Sequence, residues 1–182
     1  LRLRTKKDNL SIGYLGTYVE QPVLSKSATV HSIDLENRPS SLHRLTNNLI
    51  MTDSGQKKGY GFSLGYGYDP DQNLHSGLSI NYFDDNFDIN DMGYQPRNNF
   101  FVVGGRTQFK TTDFKSDSFH RSRVYEVGYG IKANSSFDRE PINLALKIEN
   151  SFRNTSEFKG EVFYRSSGRD HRITRNSELS PF

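Results

Sequence analysis

Lys58-Gly59-Tyr60-Gly61-Phe62-Ser63-Leu64-Gly65-Tyr66-Gly67-Tyr68-Asp69 is the stretch that decides the fold class of this chain. Its odd positions are all tiny and its even positions all large, apolar or aromatic. Successive side chains of a strand point to opposite faces, so the pattern makes one bare face and one greasy one. A strand of a soluble sandwich sets charged residues against its buried row. Here the second face carries almost no bulk, as in a wall facing a crowded or water-filled interior. Aromatics at both ends of the greasy row suit a membrane span of about 9–11 residues with interfacial girdles. The stretch is expected to be a wall strand of an outer-membrane β-barrel.

Working outward, the same period of two recurs. Residues 9–20 align Leu10, Ile12, Tyr14 and Tyr18 against Ser11, Gly13 and Thr17, and residues 28–36 run into a Glu36-Asn37-Arg38-Pro39-Ser40-Ser41 turn. Residues 42–53 are irregular, because Leu45, Leu49 and Ile50 do not hold one phase. Asp69-Pro70-Asp71-Gln72-Asn73 closes the Gly/Tyr strand as a turn before a strand at 74–83 with Leu74, Leu78, Ile80 and Tyr82. Four more follow, over 100–112, 122–133, 141–152 and 156–166. In them Tyr125, Val127, Tyr129 and Ile131 oppose Glu126, Gly128, Gly130 and Lys132, and Leu144, Leu146 and Ile148 oppose Asn143, Lys147 and Glu149. Phe158, Val162 and Tyr164 likewise oppose Lys159, Glu161 and Arg165. The spacing predicts about nine strands in up-and-down hairpins and no amphipathic helix.

Charges such as Glu126, Lys147, Glu149 and Lys159 fall opposite the apolar rows. A barrel lumen accepts them there, whereas Lys or Arg facing lipid costs about 2–4 kcal/mol at midplane. A soluble sheet on a protein core predicts the same alternation; the aromatic ends and the small-residue face favour the membrane. Single-chain bacterial barrels close with even strand numbers, so about nine strands point to a piece of a larger barrel. Ser180-Pro181-Phe182 resembles the aromatic end of a closing strand, although Pro181 cannot donate a ladder hydrogen bond.

At 182 residues the chain is the size of one domain, with 13% aromatics but only 33% hydrophobic residues. No run approaches the roughly 18 apolar residues of a membrane helix, and alternating barrel strands give only a weak hydropathy signal. The net charge of +3 is spread along the chain without a basic block, which argues against nucleic acid as a partner. The absence of cysteine removes disulfides, thiolate metal sites and Cys nucleophiles. The Leu1-Arg2-Leu3-Arg4 start shows no signal peptide, as an internal or mature piece of an exported protein would.

One segment carries a family signature: Tyr82-Phe83-Asp84-Asp85-Asn86-Phe87-Asp88-Ile89-Asn90-Asp91-Met92-Gly93-Tyr94-Gln95-Pro96-Arg97-Asn98-Asn99. It resembles the C-terminal barrel region of the proteins grouped as domain of unknown function 5916. Arg169-Asp170-His171-Arg172-Ile173-Thr174-Arg175-Asn176-Ser177 resembles that family's Asp-Arg-x-Thr-Arg-Gly-Gly-Pro turn, with His171 for the Asp, Asn176 and Ser177 for the glycines, and Glu178 for the Pro. The resemblance covers residues 1–178. It implies a secreted module similar to family-9 carbohydrate-binding modules, followed by a large outer-membrane barrel. That module is expected to be absent from this chain, so residues 1–182 form part of a single barrel domain and no sugar-binding or catalytic residue carries over.

The candidate site is the signature loop itself: Asp84, Asp85, Asp88, Asn90, Asp91, Gly93 and Arg97. Clustered carboxylates suit a hard cation, with Asp84, Asp85, Asp88 and Asp91 as ligands. The EF-hand spacing fails, because Gly93 comes late and no Glu stands at the twelfth position. The preferred reading is a loop capped by its own Asx turns, entering the lumen and pairing with Arg97 or Arg106. His31, His43, His75, His120 and His171 show no ligand spacing, and no serine sits in a nucleophile elbow. A glycosidase-type carboxylate pair is possible in any chain with 21 acidic residues. Tyr94, Phe100 and Phe101 suit a girdle better than sugar stacking. Gly59-Tyr60-Gly61 and Gly104-Gly105 precede no helix and are no phosphate loops.

The expectation is therefore an all-β, antiparallel up-and-down transmembrane β-barrel, a fragment of a larger one with about 8–10 strands here. It is non-catalytic and has no cofactor or metal. Its place is the bacterial outer membrane, its partners the membrane lipid and, through the missing module, glycans. Glycan or polymer binding or transport is its expected task. Part of a carbohydrate-active hydrolase is one alternative, resting on association alone; a soluble ligand-binding barrel is the other.

Overall fold

The structure, a computed structural model, describes residues 1–21, 26–55, 57–89, 99–115, 119–134, 139–169 and 178–179. Ten strands follow in chain order: β1 (Arg2–Lys7), β2 (Leu10–Gln21), β3 (Lys26–Ser40), β4 (His43–Asp53), β5 (Lys58–Tyr68), β6 (Leu74–Phe83), β7 (Phe100–Thr111), β8 (His120–Ala133), β9 (Asn143–Phe152) and β10 (Glu157–Arg165). Each pairs antiparallel with the next, so the sheet is an uninterrupted up-and-down meander. A separate short pair joins β11 (Gly168–Arg169) to β12 (Glu178–Leu179). Among the described residues no helix is long and apolar enough to cross a membrane, which has no bearing on strands.

Two boundaries differ from the sequence reading. Arg2–Lys7 is an additional strand, bringing the sheet to ten. Its Leu1 and Leu3 alternate in phase with Ile12 and Tyr14 of β2, but Arg and Lys at every second position masked the signal. The 36–41 segment is not a turn throughout: β3 continues to Ser40, which pairs with His43 across a two-residue turn at Ser41 and Leu42. Pro39 cannot donate to the ladder, and the register slips between Asn37 and Ser40 to accommodate it. The sheet does not close, because the strand order ends at β1 and β10. What the structure holds of the expected architecture is the antiparallel up-and-down sheet, not the closed wall.

The register assigns every strand residue to one of two faces. One row of directly opposed residues is Leu3, Tyr14, Ile33, Leu49, Phe62, Tyr82 and Phe101, crossing seven strands. A parallel row on the other face reads Lys6, Ser11, Glu36, Thr46, Gly65, Ser79, Gly104, Gly130, Asn143 and Arg165. No large apolar side chain interrupts that polar row. Every large hydrophobic residue left exposed lies on the apolar face, save Leu15, Leu42, Phe119 and Phe163.

Nothing in the described protein covers that apolar face. Leu49, Tyr60, Leu146 and Val162 remain 52%, 53%, 47% and 68% exposed, while the buried hydrophobic side chains are Phe87 and Ala133 alone among the described residues. Completing the burial of one such side chain contributes roughly 1 kcal/mol, half the usual value for a fully exposed one. Over about twenty of them the sum is on the order of 20 kcal/mol, above the roughly 5–15 kcal/mol net stability of a domain.

Candidate functional site

The small face of β5 is not empty at its start. After β6 the chain turns back across β5, and Asp84 is the node of that turn. Its amide donates to the Tyr60 carbonyl at 3.0 Å, and its carboxylate accepts from the Tyr60 amide at 2.9 Å and the Asn86 amide at 3.0 Å. The Asp84 carbonyl accepts from Phe87 N–H at 3.4 Å and Asn99 N–H at 3.0 Å. The expected Asx turn is thus present, with Asp84 as its acceptor.

Phe87 is the consequence. At 1% exposure it is the most enclosed large side chain described. Its backbone lies directly over Gly59, where a Cβ would run into the Phe87 Cα and amide nitrogen. A Cβ on Gly61 would meet the Phe83 ring. The Phe87 ring packs against Phe83 at 4.6 Å between centroids, and Phe83 against Phe100 at 5.1 Å. Asp88 N–H donates to the buried Thr52 hydroxyl at 3.3 Å. Gly59, Gly61, Thr52, Phe83 and Phe100 all belong to the polar face by register. The loop therefore folds onto that face. Phe87 occupies the space at Gly59, and the Phe83 ring, with Phe87 behind it, the space at Gly61; at Gly67 the nearest atom a Cβ would meet is the Arg44 Cβ, at 3.8 Å.

Of the signature-loop residues, Asp84, Asp85 and Asp88 are described, and Asn90, Asp91, Gly93 and Arg97 lie outside the described residues. Tyr94, the 170–177 stretch with His171, and Ser180 to Phe182 lie outside them as well. Among the described residues no three His, Asp or Glu side chains converge to hold a metal ion. Asp84 uses both carboxylate oxygens on backbone amides. Arg106 sits beside Glu126, at 3.8 Å. Phe87, which sequence reasoning read only as part of a signature, is the residue that anchors the loop. The signal was present in the bare positions 59 and 61, which need an occupant.

The polar face elsewhere carries paired charge. Lys147 meets Glu149 at 2.8 Å, Lys159 meets Glu157 at 3.2 Å, and Gln108 donates to Glu126 at 3.5 Å. The apolar face carries the Asn47 amide midway along β4, and otherwise polar groups towards its ends. At one end the Tyr14 hydroxyl and His31 Nδ1 are hydrogen-bonded at 2.7 Å. At the other, the Tyr66 hydroxyl and His43 Nδ1 are hydrogen-bonded at 2.8 Å, with Tyr68 stacked on His43 at 5.0 Å. Arg123, at that second end, donates to Asn150 Oδ1 at 2.6 Å and lies over the Phe114 ring.

A meandering antiparallel sheet with one apolar and one polar face, and a loop folded onto the polar side, defines an up-and-down all-β protein without a formed catalytic constellation among its described residues. The chain belongs to the family described as Domain of unknown function (DUF5916), whose model matches residues 8–178. No curated protein and no solved structure matches it.

Proposed function

We propose that the ten strands are part of the wall of an outer-membrane β-barrel that is not itself an enzyme. In this reading the apolar face meets acyl chains, and the polar face lines a hydrophilic passage or anchor site for a polymer such as a glycan. The observation that carries it is the uncovered apolar face, continuous across the sheet. The unpaired outer edges of β1 and β10 are where further wall strands join, since lipid tolerates no open edge.

The two His–Tyr pairs support the same reading. Met51 stands opposite His31, eight residues along β4 from His43. Eight residues span about 27 Å along a strand, or about 20 Å along an axis to which strands tilt by roughly 40°. That approaches the apolar band of about 25 Å between aromatic girdles. The glycan element of the proposal comes from the accompanying carbohydrate-binding-like module that the sequence resemblance implies, and no residue of this sheet is assigned to it.

The deciding experiment is expression with an export signal, followed by membrane fractionation and electrophoresis with and without boiling. Recovery in the outer-membrane fraction with heat-modifiable migration is the expected result. A monodisperse soluble monomer obtained without detergent would overturn the proposal.

A further inference from the structure

At the end of the sheet bearing the 8–9 and 41–42 turns, three guanidinium groups converge on one carboxylate. Arg4, Arg38 and Arg44 approach Glu36 at 3.7, 2.9 and 3.2 Å. Lys6 stands opposite Ser11, which stands opposite Glu36, so the lysine joins the cluster from β1. Arg4, Lys6, Asp8, Ser11, Glu36 and Arg38 line a cavity of about 350 Å³. Four cations thus face three carboxylates: Glu36, Asp8, and Asp34, whose side chain leans over Gly13, the register partner of Arg4. Elsewhere on the same face Lys147 is matched to Glu149 and Lys159 to Glu157, one for one.

The cluster has more donors than acceptors. Each guanidinium presents five N–H donors, and a carboxylate has about four acceptor positions. Ser11 accepts one bond from Arg4 Nε at 2.9 Å. On the order of ten donors are then beyond the capacity of Glu36 and Ser11. The three arginine side chains are 52%, 59% and 55% exposed, against 24% for Glu36, so their donors face solvent, and Arg4 and Arg38 also line the cavity. Planar forks suit bidentate oxyanions. Glu36 holds three mutually repelling cations within reach of one another.

We propose that Arg4, Lys6, Arg38 and Arg44 form a binding site for the oxyanion groups (phosphate, sulfate or carboxylate) of a multiply charged anion, with Glu36 as the organising and competing carboxylate. The site lies on the polar face and does not depend on what covers the other one, so its failure and that of the wall assignment are separate results.

The test is calorimetric titration of the whole folded chain, in detergent or vesicles as its solubility requires, with tripolyphosphate, with a sulfated dextran oligosaccharide and with neutral dextran. Arg44→Gln and Arg38→Gln are each expected to weaken binding of both anions about tenfold, the loss of one charge-assisted contact. Lys159→Gln removes the same charge from the balanced part of the same face and is expected to change affinity less than twofold. Glu36→Gln, which removes the competitor, is expected to tighten binding. Preference for the sulfated oligosaccharide identifies a polymeric ligand and preference for tripolyphosphate a small one; either upholds the site. Equal weakening by Lys159→Gln, no tightening by Glu36→Gln, binding of neutral dextran as strong as of the sulfated form, or no anion binding below millimolar concentration would overturn it. Circular dichroism of each variant establishes that it folds, and Glu36→Gln decides the matter if an arginine variant does not.

Discussion

Gly59 and Phe87 show how a single missing Cβ places a loop. The amide of Phe87 lies where a side chain at 59 would project, and the ring fills the space over Gly61 beside Phe83. Gly59→Ala is expected to cost about 1–3 kcal/mol through overpacking and to release the loop, read as faster hydrogen exchange at the Asn86 and Phe87 amides. Protection unchanged from the parent would show that the contact is not needed. Asn47 is the opposite kind of residue. Its register neighbours on the apolar face are Leu35 and Leu64, midway between the two His–Tyr ends of β4. Under an acyl-chain medium, removing that amide relieves a desolvation cost. Asn47→Leu is therefore expected to raise stability in lipid vesicles by about 1–2 kcal/mol, measured by urea unfolding. A loss of stability there would mean that the position faces water.

At the scale of the element, β6 carries both faces in adjacent residues. Ile80 lies between Leu64 and Val103 on the apolar side, and Asn81 between Ser63 and Val102 on the polar one. Ile80→Arg is expected to cost about 2–4 kcal/mol in a bilayer, whereas Asn81→Arg costs little. Refolding yields of the two variants into vesicles check the contrast, and equal yields would count against two-sidedness. Strand phase was legible wherever alternation was unbroken, as in 58–68 and 122–133. It was obscured in β4, where Ile50 shares the polar face with Asn48 and Thr52, and in β1, where the apolar row is only Leu1 and Leu3. The 36–41 segment reads as a turn from composition. Pairing with β4 on one side, and with Leu10 and the Asn9 carbonyl on the other, keeps Asn37 to Ser40 extended, because these hydrogen bonds outweigh the preference of Asn and Pro for a turn.

For the whole molecule, the connections differ between the two ends of the sheet. At one end they span 8–9, 41–42, 69–73, 112–119 and 153–156; at the other, 22–25, 54–57, 84–99 and 134–142. The second set includes the longest, and outer-membrane barrels keep short turns towards the periplasm and long loops outside. A chain without cysteine permits a clean test of sidedness. Lys57→Cys, exposed in the 54–57 turn at the long-loop end, is expected to react with a membrane-impermeant maleimide on intact cells, and Asp71→Cys, at the other end, only after lysis. The reverse labelling would invert the orientation, and equal labelling of both would remove it.

The local alternation of large and small side chains determined that this chain makes antiparallel strands, and which side of each is apolar, because a strand's two-residue period is a property of neighbouring residues. Tertiary structure alone decided that all ten apolar rows fall on one uncovered face, that the sheet stays open at β1 and β10, that Phe87 lies over Gly59, and that Arg4, Arg38 and Arg44 meet at Glu36. Each of those depends on register between strands distant in sequence, which no local pattern encodes.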